Sequence, residues 1–316
     1  MDGKVALVGA GLVGRGWAIV FARAGREVAL FDSDPKALEA AGPALDASLA
    51  DLRALGLIDE EPAAVRARIR PTGSLAEAVR GAGYVQESVR EDVGVKRAVF
   101  GELDALADAD TVLASSTSGI PASAYTEGLA GRGRCLVAHP LNPPYLIPLV
   151  EICPAPWTDP AVVERTYRLM AEVGQVPVRM EREIEGFIVN RLQGALLHEA
   201  FALVESGIAG AEDVDRAVKD GLGLRWSFMG PFETIDLNAP GGIVDYVRRY
   251  GPLYHRIAAE RQGPPEPWGE ELLARVERER RELLPEAGFE ERKAWRDRRL
   301  MALMAHKKKA QTEMGG

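Results

Sequence analysis

The sequence predicts an α/β protein with a doubly wound parallel sheet, followed by an all-helical C-terminal domain. Up to about residue 180, short apolar segments alternate with longer amphipathic ones, as in strands that are connected by helices. From Gly186 onward, only helical periodicity is found. A chain of 316 residues is also long enough for two cores. We therefore predict a sheet domain over residues 1–185 and a helical domain over residues 186–316.

Six short apolar segments are predicted as strands, at residues 4–8, 27–31, 84–87, 112–114, 135–138 and 149–153. A further short strand is predicted within residues 66–72. Apolar side chains at helical spacing predict helices of the first domain at residues 15–24, 36–57 and 95–106. The helices of the second domain are predicted at residues 187–206, 211–220, 244–262, 270–284 and 290–308.

The composition disfavours several classes of protein. A net charge of -8 argues against nucleic acid and anionic membranes as main partners. Only two cysteines, Cys135 and Cys153, are present, without metal-ligand spacing, so we expect no metal site and no disulfide framework. No signal-peptide pattern and no apolar run of about 18 residues is found. We expect a cytoplasmic protein that does not bind a membrane.

A glycine-rich segment follows the first predicted strand. It reads Gly9-Ala10-Gly11-Leu12-Val13-Gly14 and matches the pattern G-x-G-x-x-G. The pattern alone is weak, but here a strand precedes it, a helix follows it and an acidic residue ends the next strand. This arrangement is typical of a Rossmann-type dinucleotide site, in which the phosphates lie at the helix N-terminus. The alternative, a glycine-rich turn without a ligand, does not explain the whole unit.

The acidic residue at the end of the second strand is Asp32. Its carboxylate can accept hydrogen bonds from both ribose hydroxyls, whereas a 2′-phosphate would be repelled. The next residues are Ser33 and Asp34, so no arginine is available there to hold that phosphate. The sequence therefore predicts NAD rather than NADP as the cofactor.

Three later segments, at residues 115–118, 139–144 and 150–152, fall at strand ends on the carboxyl edge of the predicted sheet, where ligands bind in such folds. His139 ends a strand, and Glu151 comes twelve residues later. A neutral imidazole can take the proton of a substrate hydroxyl while hydride leaves the same carbon, and a carboxylate can stabilise the imidazolium that forms. A lone histidine is more often structural, so the residues alone leave both interpretations open.

The motifs at residues 135–152, 186–191 and 230–233 resemble the 3-hydroxyacyl-CoA dehydrogenase superfamily. The segments at residues 139–145, 222–228, 233–239 and 295–297 are more similar to its λ-crystallin / L-gulonate 3-dehydrogenase branch. The resemblance covers essentially the whole chain. It implies an NAD-dependent enzyme that acts on the CH–OH group of a 3-hydroxy acid, and a homodimer.

The resemblance also implies roles for individual residues. His139 would be the general base, oriented by Glu151, and Ser118 and Asn190 would hydrogen-bond the reacting oxygen. The cofactor contacts would come from Gly9, Gly11, Leu12, Val13, Gly14, Asp32, Glu91, Lys96, Ser118 and Asn142. From the residues alone, Glu91 and Lys96 could equally be a solvated pair at a helix start.

The substrate is expected to be small. The acyl-CoA branch carries a lysine-rich helical hairpin after the second strand, but here no lysine lies between Lys36 and Lys96 and carboxylates are frequent. Arg225 could pair with a sugar-acid carboxylate or form a structural salt bridge. Trp226 and Phe228 are expected in the core, although an aromatic wall could hold a quaternary ammonium group.

The resemblance, together with this departure from the acyl-CoA pattern, favours oxidation of L-gulonate to 3-dehydro-L-gulonate. L-Carnitine is the second candidate substrate, because L-carnitine 3-dehydrogenases look similar over the Arg-Trp-Ser-Phe-Met-Gly segment at residues 225–230. A dehydrogenase of the 3-hydroxyacyl-CoA or 3-hydroxybutyrate type is a further alternative. Two alternatives of other classes are a crystallin-like structural protein and an NAD sensor without turnover.

Overall fold

The computed structural model describes residues 3–260 and 268–315. The chain divides into two compact units. The first contains the described residues of Met1–Arg191 together with those of Trp295–Gly316, and the second is Leu192–Ala294. None of the described helices is long and apolar enough to cross a membrane.

The first unit is built on one eight-stranded sheet. Its strands are β1 Lys4–Val8, β2 Val28–Phe31, β3 Ile69–Thr72, β4 Ala82–Glu87, β5 Val112–Ser115, β6 Cys135–Pro140, β7 Leu149–Pro154 and β8 Val176–Arg179. They lie in the order β3-β2-β1-β4-β5-β6-β7-β8, so the strand order reverses between β1 and β4. This is the doubly wound arrangement that the sequence predicts, and ligands bind at such a reversal.

The helices of this unit are α1 Leu12–Arg23, α2 Pro35–Ala54, α3 Pro62–Ala67, α4 Leu75–Val79, α5 Val93–Leu106, α6 Ser123–Thr126 and α7 Pro160–Glu172. Asp34 caps α2, since its side chain accepts a hydrogen bond from the N–H of Lys36. Helix α1 begins at Leu12, three residues before its predicted start, because the glycine segment itself leads into the first turn.

Two features of the sheet differ from the prediction. The pair β6–β7 is antiparallel, because the connection between these strands is too short for a crossover helix. The sequence also missed β8 and the helix α7 before it. Strand β8 lies at the edge of the sheet, is at most half-buried and contains Pro177, so it lacks the apolar run of an inner strand.

Both faces of the sheet are covered. Along β1, Val5 and Leu7 belong to one buried cluster, and Ala6 and Val8 belong to another on the opposite face. A strand that is buried on both faces reads as a continuous apolar run, which is why β1 could be predicted residue by residue.

The second unit is helical in its described part. Its elements are the rest of α8 Val189–Glu205, α9 Ala211–Arg216, a π-helical turn Ala217–Leu222, α10 Gly223–Trp226, α11 Pro231–Leu237, α12 Gly242–Glu260, α13 Glu270–Leu283 and the start of α14 Phe289–Met314. Val204, Ala211 and Leu272 form a small buried cluster. The predicted end of the helix at residue 262 lies outside the described residues.

The last helix departs from the predicted domain boundaries. The prediction placed residues 186–316 in one helical domain, whereas the contacts group Trp295–Gly316 with the sheet unit. Met301 is the reason, since it is buried in one of the core clusters of the sheet.

Candidate functional site

The glycine segment forms a tight turn between β1 and α1. Gly9 has a φ of +108°, and a Cβ there would lie 2.6 Å from the carbonyl oxygen of Ser88. A Cβ on Gly14 would lie 1.8 Å from the carbonyl oxygen of Gly9. In contrast, a Cβ on Gly11 would meet no described atom within 4 Å. The packing of the chain therefore requires Gly9 and Gly14, and the space at Gly11 fits a pyrophosphate cradle.

The start of α1 suits an anion. Gly11 occupies its N-cap and has no side chain that could bond the first N–H groups of the helix. Leu12 is 69% exposed although it is apolar, which agrees with a position at the mouth of a site rather than in the core. Val13 packs partly against the core and anchors the turn.

Asp32 lies directly after β2 and is already oriented by the backbone. One carboxylate oxygen accepts a hydrogen bond from the N–H of Ala10 at 2.7 Å, and the other accepts one from the N–H of Asp34 at 2.9 Å. The carboxylate thus lies against the glycine turn, where the sequence predicts a ribose contact.

His139 and Glu151 are brought together by the register of β6 and β7, in which they are paired directly across the two strands. Their Nδ1 and Oε2 atoms are 2.7 Å apart. Both residues are buried, with His139 5% and Glu151 0% exposed. Among the described residues, His139 has no other hydrogen-bond partner, so its Nε2 remains available to a substrate.

Glu151 is held as a carboxylate by three donors. Its Oε1 accepts the N–H groups of Ile188 at 2.7 Å and Val189 at 2.9 Å, and its Oε2 faces His139. Burial raises the pKa of Glu151, but these hydrogen bonds outweigh it and hold the pKa below its ordinary value. An ionised Glu151 must accept the Nδ1 proton of His139, so the free lone pair of the imidazole lies on Nε2, as a general base requires.

The N–H groups of Ile188 and Val189 are directed at Glu151 by an unusual turn before α8. Gly186 and Phe187 have φ values of +75° and +50°, and Phe187 is fully buried with its ring centroid 5.5 Å from that of His139. A bulky residue rarely adopts a positive φ, and such strain concentrates at functional sites. The sequence contains no signal for this turn, because nothing distinguishes Phe187 from the first residue of the helix.

Ser118 and Asn190 also come together. The side-chain amide of Asn190 donates a hydrogen bond to the carbonyl oxygen of Ser118 at 2.5 Å, and Ser118 itself is exposed. The structure thus places the two predicted oxygen-binding residues side by side, while their contact with a substrate remains a prediction.

Glu91 holds the backbone around Ser118. Its Oε1 accepts the hydroxyl of Thr117 and the N–H groups of Ser118 at 2.9 Å and Gly119 at 3.1 Å. Its Oε2 is 3.5 Å from the Nζ of Lys96. Partial burial raises the pKa of Glu91, but the hydrogen bonds and the Lys96 charge outweigh it and lower the pKa. Glu91 therefore fixes a loop that carries a predicted catalytic residue.

Lys96 is 1% exposed, so the alternative of a solvated pair at a helix start is wrong. Its Nζ lies 3.0 Å from Oε1 of the buried Glu87 and 3.4 Å from Oγ of Ser115. Sequence reasoning missed Glu87 because it ends an apolar strand, where a single polar residue carries no pattern. Cofactor contacts of Glu91 and Lys96 remain a prediction.

Comparison with known proteins identifies the family. Residues 4–184 match the 3-hydroxyacyl-CoA dehydrogenase NAD binding domain, and residues 186–281 match the 3-hydroxyacyl-CoA dehydrogenase C-terminal domain. The chain belongs to the 3-hydroxyacyl-CoA dehydrogenase family. The family predicted from the sequence is thereby confirmed, and so are the NAD cofactor and the dehydrogenase activity on hydroxyl groups.

Several relatives are similar over most of their length. The Bos taurus λ-crystallin homolog is 44% identical over 305 residues, which cover 95% of this chain and 94% of that one. L-Carnitine dehydrogenase of Streptomyces griseus is 42% identical over 250 residues, covering 79% and 74%. Among solved structures, the NAD⁺-dependent dismutase 5-formyl-3-hydroxy-2-methylpyridine 4-carboxylic acid 5-dehydrogenase aligns with a TM-score of 0.76 at 31% identity, covering 85% and 84%. The first match agrees with the λ-crystallin branch.

The residues of this family member fit NAD. The open cradle at Gly11, the uncapped start of α1 and the Asp32 carboxylate lie along one edge of the sheet at the reversal between β1 and β4. Asn142, a predicted nicotinamide contact, is exposed and directly precedes Pro143. Pro144 packs on α1, since a Cβ on Gly16 would lie 2.6 Å from its ring.

Arg225 lies in α10 of the second unit and is exposed. It forms no ion pair with any described carboxylate, which does not support the structural salt bridge. Trp226 is 40% and Phe228 72% exposed, so the expectation that they are core residues is wrong. The short α10 leaves them uncovered in their own unit.

The cysteines take no visible part in the site. Cys135 and Cys153 are buried and unpaired, and burial raises the pKa of each thiol to about 12. Within the described ranges, no group of three or more His, Cys, Asp or Glu side chains could hold a metal ion.

Proposed function

We propose that this dehydrogenase oxidises the hydroxyl at carbon 3 of a small hydroxy acid, L-gulonate first among them. The observation that carries this proposal is the charge of the segment from α2 to β3. It contains no lysine after Lys36, and three of its arginines pair within the segment: Arg53 with Glu61 at 3.2 Å, Arg66 with Asp46 at 3.3 Å and Arg68 with Glu60 at 2.5 Å. Arginines that are already paired are poor ligands for the phosphates of CoA.

The reaction follows from the dyad. The Nε2 atom of His139 accepts the hydroxyl proton, while Glu151 holds the ring and stabilises the imidazolium that forms. Ser118 and Asn190 hydrogen-bond the oxygen as it becomes a carbonyl. Bound NAD supplies the acceptor for the hydride. Arg225, exposed and without a described ion-pair partner, binds the carboxylate of the substrate.

L-Carnitine is the second candidate. Two large aromatic side chains, Trp226 and Phe228, remain exposed although a folded unit normally covers such groups. Exposed aromatic rings can hold a quaternary ammonium group by cation–π contact, and a similar protein is named L-carnitine dehydrogenase.

A substrate panel with NAD tests the proposal. We expect the largest kcat/KM with L-gulonate and at least about 10-fold less with 3-hydroxybutyrate or 3-hydroxybutyryl-CoA, because one well-placed charged contact is worth this much. A higher kcat/KM with L-carnitine would establish the second candidate. Preference for the CoA thioester would overturn both. Tight NADH binding without turnover of any substrate would instead indicate the sensor, or the crystallin-like structural protein.

Arg225→Gln sharpens this test. We expect it to raise KM for L-gulonate by about 10-fold or more while the Kd for NADH stays unchanged. Arg256→Gln is the matched control, since Arg256 is an exposed arginine of the same unit. Equal effects of the two variants would refute the carboxylate contact.

The proposal includes a homodimer in the cytoplasm. Large apolar side chains are exposed along α12, among them Val244, Val247 and Leu253, and a second copy of the chain could cover them. Sedimentation equilibrium distinguishes a dimer from a monomer.

A further inference from the structure

A chain of polar side chains lies behind the cofactor cradle. Gln86 on β4 accepts a hydrogen bond from the hydroxyl of Tyr84 at 2.5 Å and approaches Oγ of Ser116 at 2.6 Å. The Nε1 of Trp17 on α1 also reaches Oγ of Ser116, at 3.0 Å. The Oγ atoms of Ser116 and Ser88 are 2.9 Å apart. The network therefore ends at Ser88, immediately after β4.

The orientation of Gln86 follows from its partners. One atom of its amide group lies 3.0 Å from the carbonyl oxygen of Ala138, which can only accept, so this atom must be the nitrogen Nε2. The amide oxygen then accepts the proton of Tyr84, and the second hydrogen of Nε2 is donated to Ser116. All partners of Gln86 are satisfied in only this arrangement.

The direction of the hydrogen bond between Ser116 and Ser88 follows from the same count of donors and acceptors. Ser116 Oγ receives two donors, the indole N–H of Trp17 and the amide N–H of Gln86, which occupy both of its lone pairs. Its single proton must therefore be donated to Oγ of Ser88. Ser88 thus accepts from the network, and its own proton is directed away from it.

That proton has no acceptor among the described residues. Ser88 is half-buried, and its backbone lies against the glycine turn: its N–H donates to the carbonyl of Val8 at 2.7 Å, and its carbonyl lies 2.6 Å from the Cβ position of Gly9. Because β1 and β4 flank the reversal of strand order, Ser88 lies at the point where a dinucleotide binds in this fold.

We propose that the Ser88 hydroxyl donates a hydrogen bond to an acceptor oxygen of bound NAD, either a phosphate or a ribose oxygen. The network behind it selects this direction before the cofactor arrives, so little rotational freedom is lost on binding. The inference rests on the NAD binding of the family and adds a residue that the glycine motif does not contain.

The first experiment is Ser88→Ala, with the Kd for NADH measured by titration calorimetry. We expect the Kd to rise by about 5- to 20-fold, as for the loss of one hydrogen bond, with an unchanged melting temperature. Ser206→Ala is the matched control, because the hydroxyl of Ser206 donates only to the carbonyl oxygen of Ala202, in α8 of the second unit. The Kd values for ADP-ribose and AMP locate the acceptor oxygen. If Ser88→Ala weakens the binding of ADP-ribose but not of AMP, the acceptor lies beyond the phosphate that AMP contains. A Kd within about 2-fold of wild type for all three ligands would overturn the proposal.

The second experiment tests the orientation. Trp17→Phe frees one lone pair of Ser116, so that Ser88 can turn and donate inward. We expect about 2- to 5-fold weaker NADH binding in the wild-type background and no further loss in Ser88→Ala. If the fold-changes in NADH Kd of the two single variants simply multiply in the double variant, the network does not orient Ser88. The cofactor contact itself is decided by Ser88→Ala alone.

Discussion

The variant Glu151→Gln tests how the dyad is built. The amide oxygen of glutamine can still accept the N–H groups of Ile188 and Val189, which leaves the NH₂ group facing Nδ1 of His139. The imidazole must then accept at Nδ1 and carry its proton on Nε2, where the base needs a lone pair. The change therefore alters the tautomer while it preserves the packing.

A wrong tautomer is costly for catalysis. We expect kcat to fall by about 10³- to 10⁴-fold, which corresponds to about 4 to 5.5 kcal/mol of activation free energy. The Kd for NADH should stay within about 2-fold and the melting temperature within about 3 °C of wild type, because the two backbone donors remain satisfied. The assay is initial-rate NADH formation with the best substrate of the panel, together with NADH titration.

The matched control is Glu164→Gln. Glu164 is a surface carboxylate that accepts hydrogen bonds from Arg168 and Arg179 without any contact to the dyad. Its kcat should be that of wild type. A Glu151→Gln enzyme that retains more than about a tenth of the wild-type kcat would refute the tautomer argument, since orientation alone is worth far more.

Three further predictions concern the cofactor site and the dyad. Asp32→Ala should weaken NAD binding by about 10- to 100-fold and reduce the preference over NADP, measured by titration with both cofactors; an unchanged ratio would contradict the ribose contact. Gly11→Ala should leave the melting temperature unchanged, because its Cβ would meet no described atom within 4 Å, but should weaken NADH binding, whereas equal losses of both would indicate a structural role. The lowered pKa of Glu151 predicts a contribution to stability that is present above its ordinary pKa of 4.5 and is lost as the pH falls through the lower folded-state pKa. The difference in unfolding free energy between wild type and Glu151→Gln in urea should therefore shrink from pH 7 to pH 3, and a constant difference would contradict it.

Much of the sheet could be predicted from the sequence because its inner strands are buried on both faces. Strand β1 was predicted with its observed bounds, Lys4–Val8, and the glycine turn after it follows from a pattern with a physical cause. Strand β8 could not be predicted, since an exposed edge strand with a proline has no such pattern.

The site shows the same division. His139 and Glu151 could be proposed from the sequence, but their contact depends on an antiparallel register that a parallel sheet does not provide. The turn at Gly186 and Phe187 and the burial of Lys96 depend on tertiary packing, which overrides local preference. The exposure of Trp226 and Phe228 was not predicted, because the hydrophobicity of a side chain predicts that it is buried.

The antiparallel pairing of β6 with β7 has a consequence for how this chain can diverge. A shift of one residue in that pairing would turn one member of the dyad to the opposite face of the sheet, so an insertion or deletion inside either strand abolishes the chemistry at once. The exposed α10 carries no such penalty, because uncovered surface tolerates change. Residues on this uncovered surface can therefore change during evolution while His139 and Glu151 stay paired.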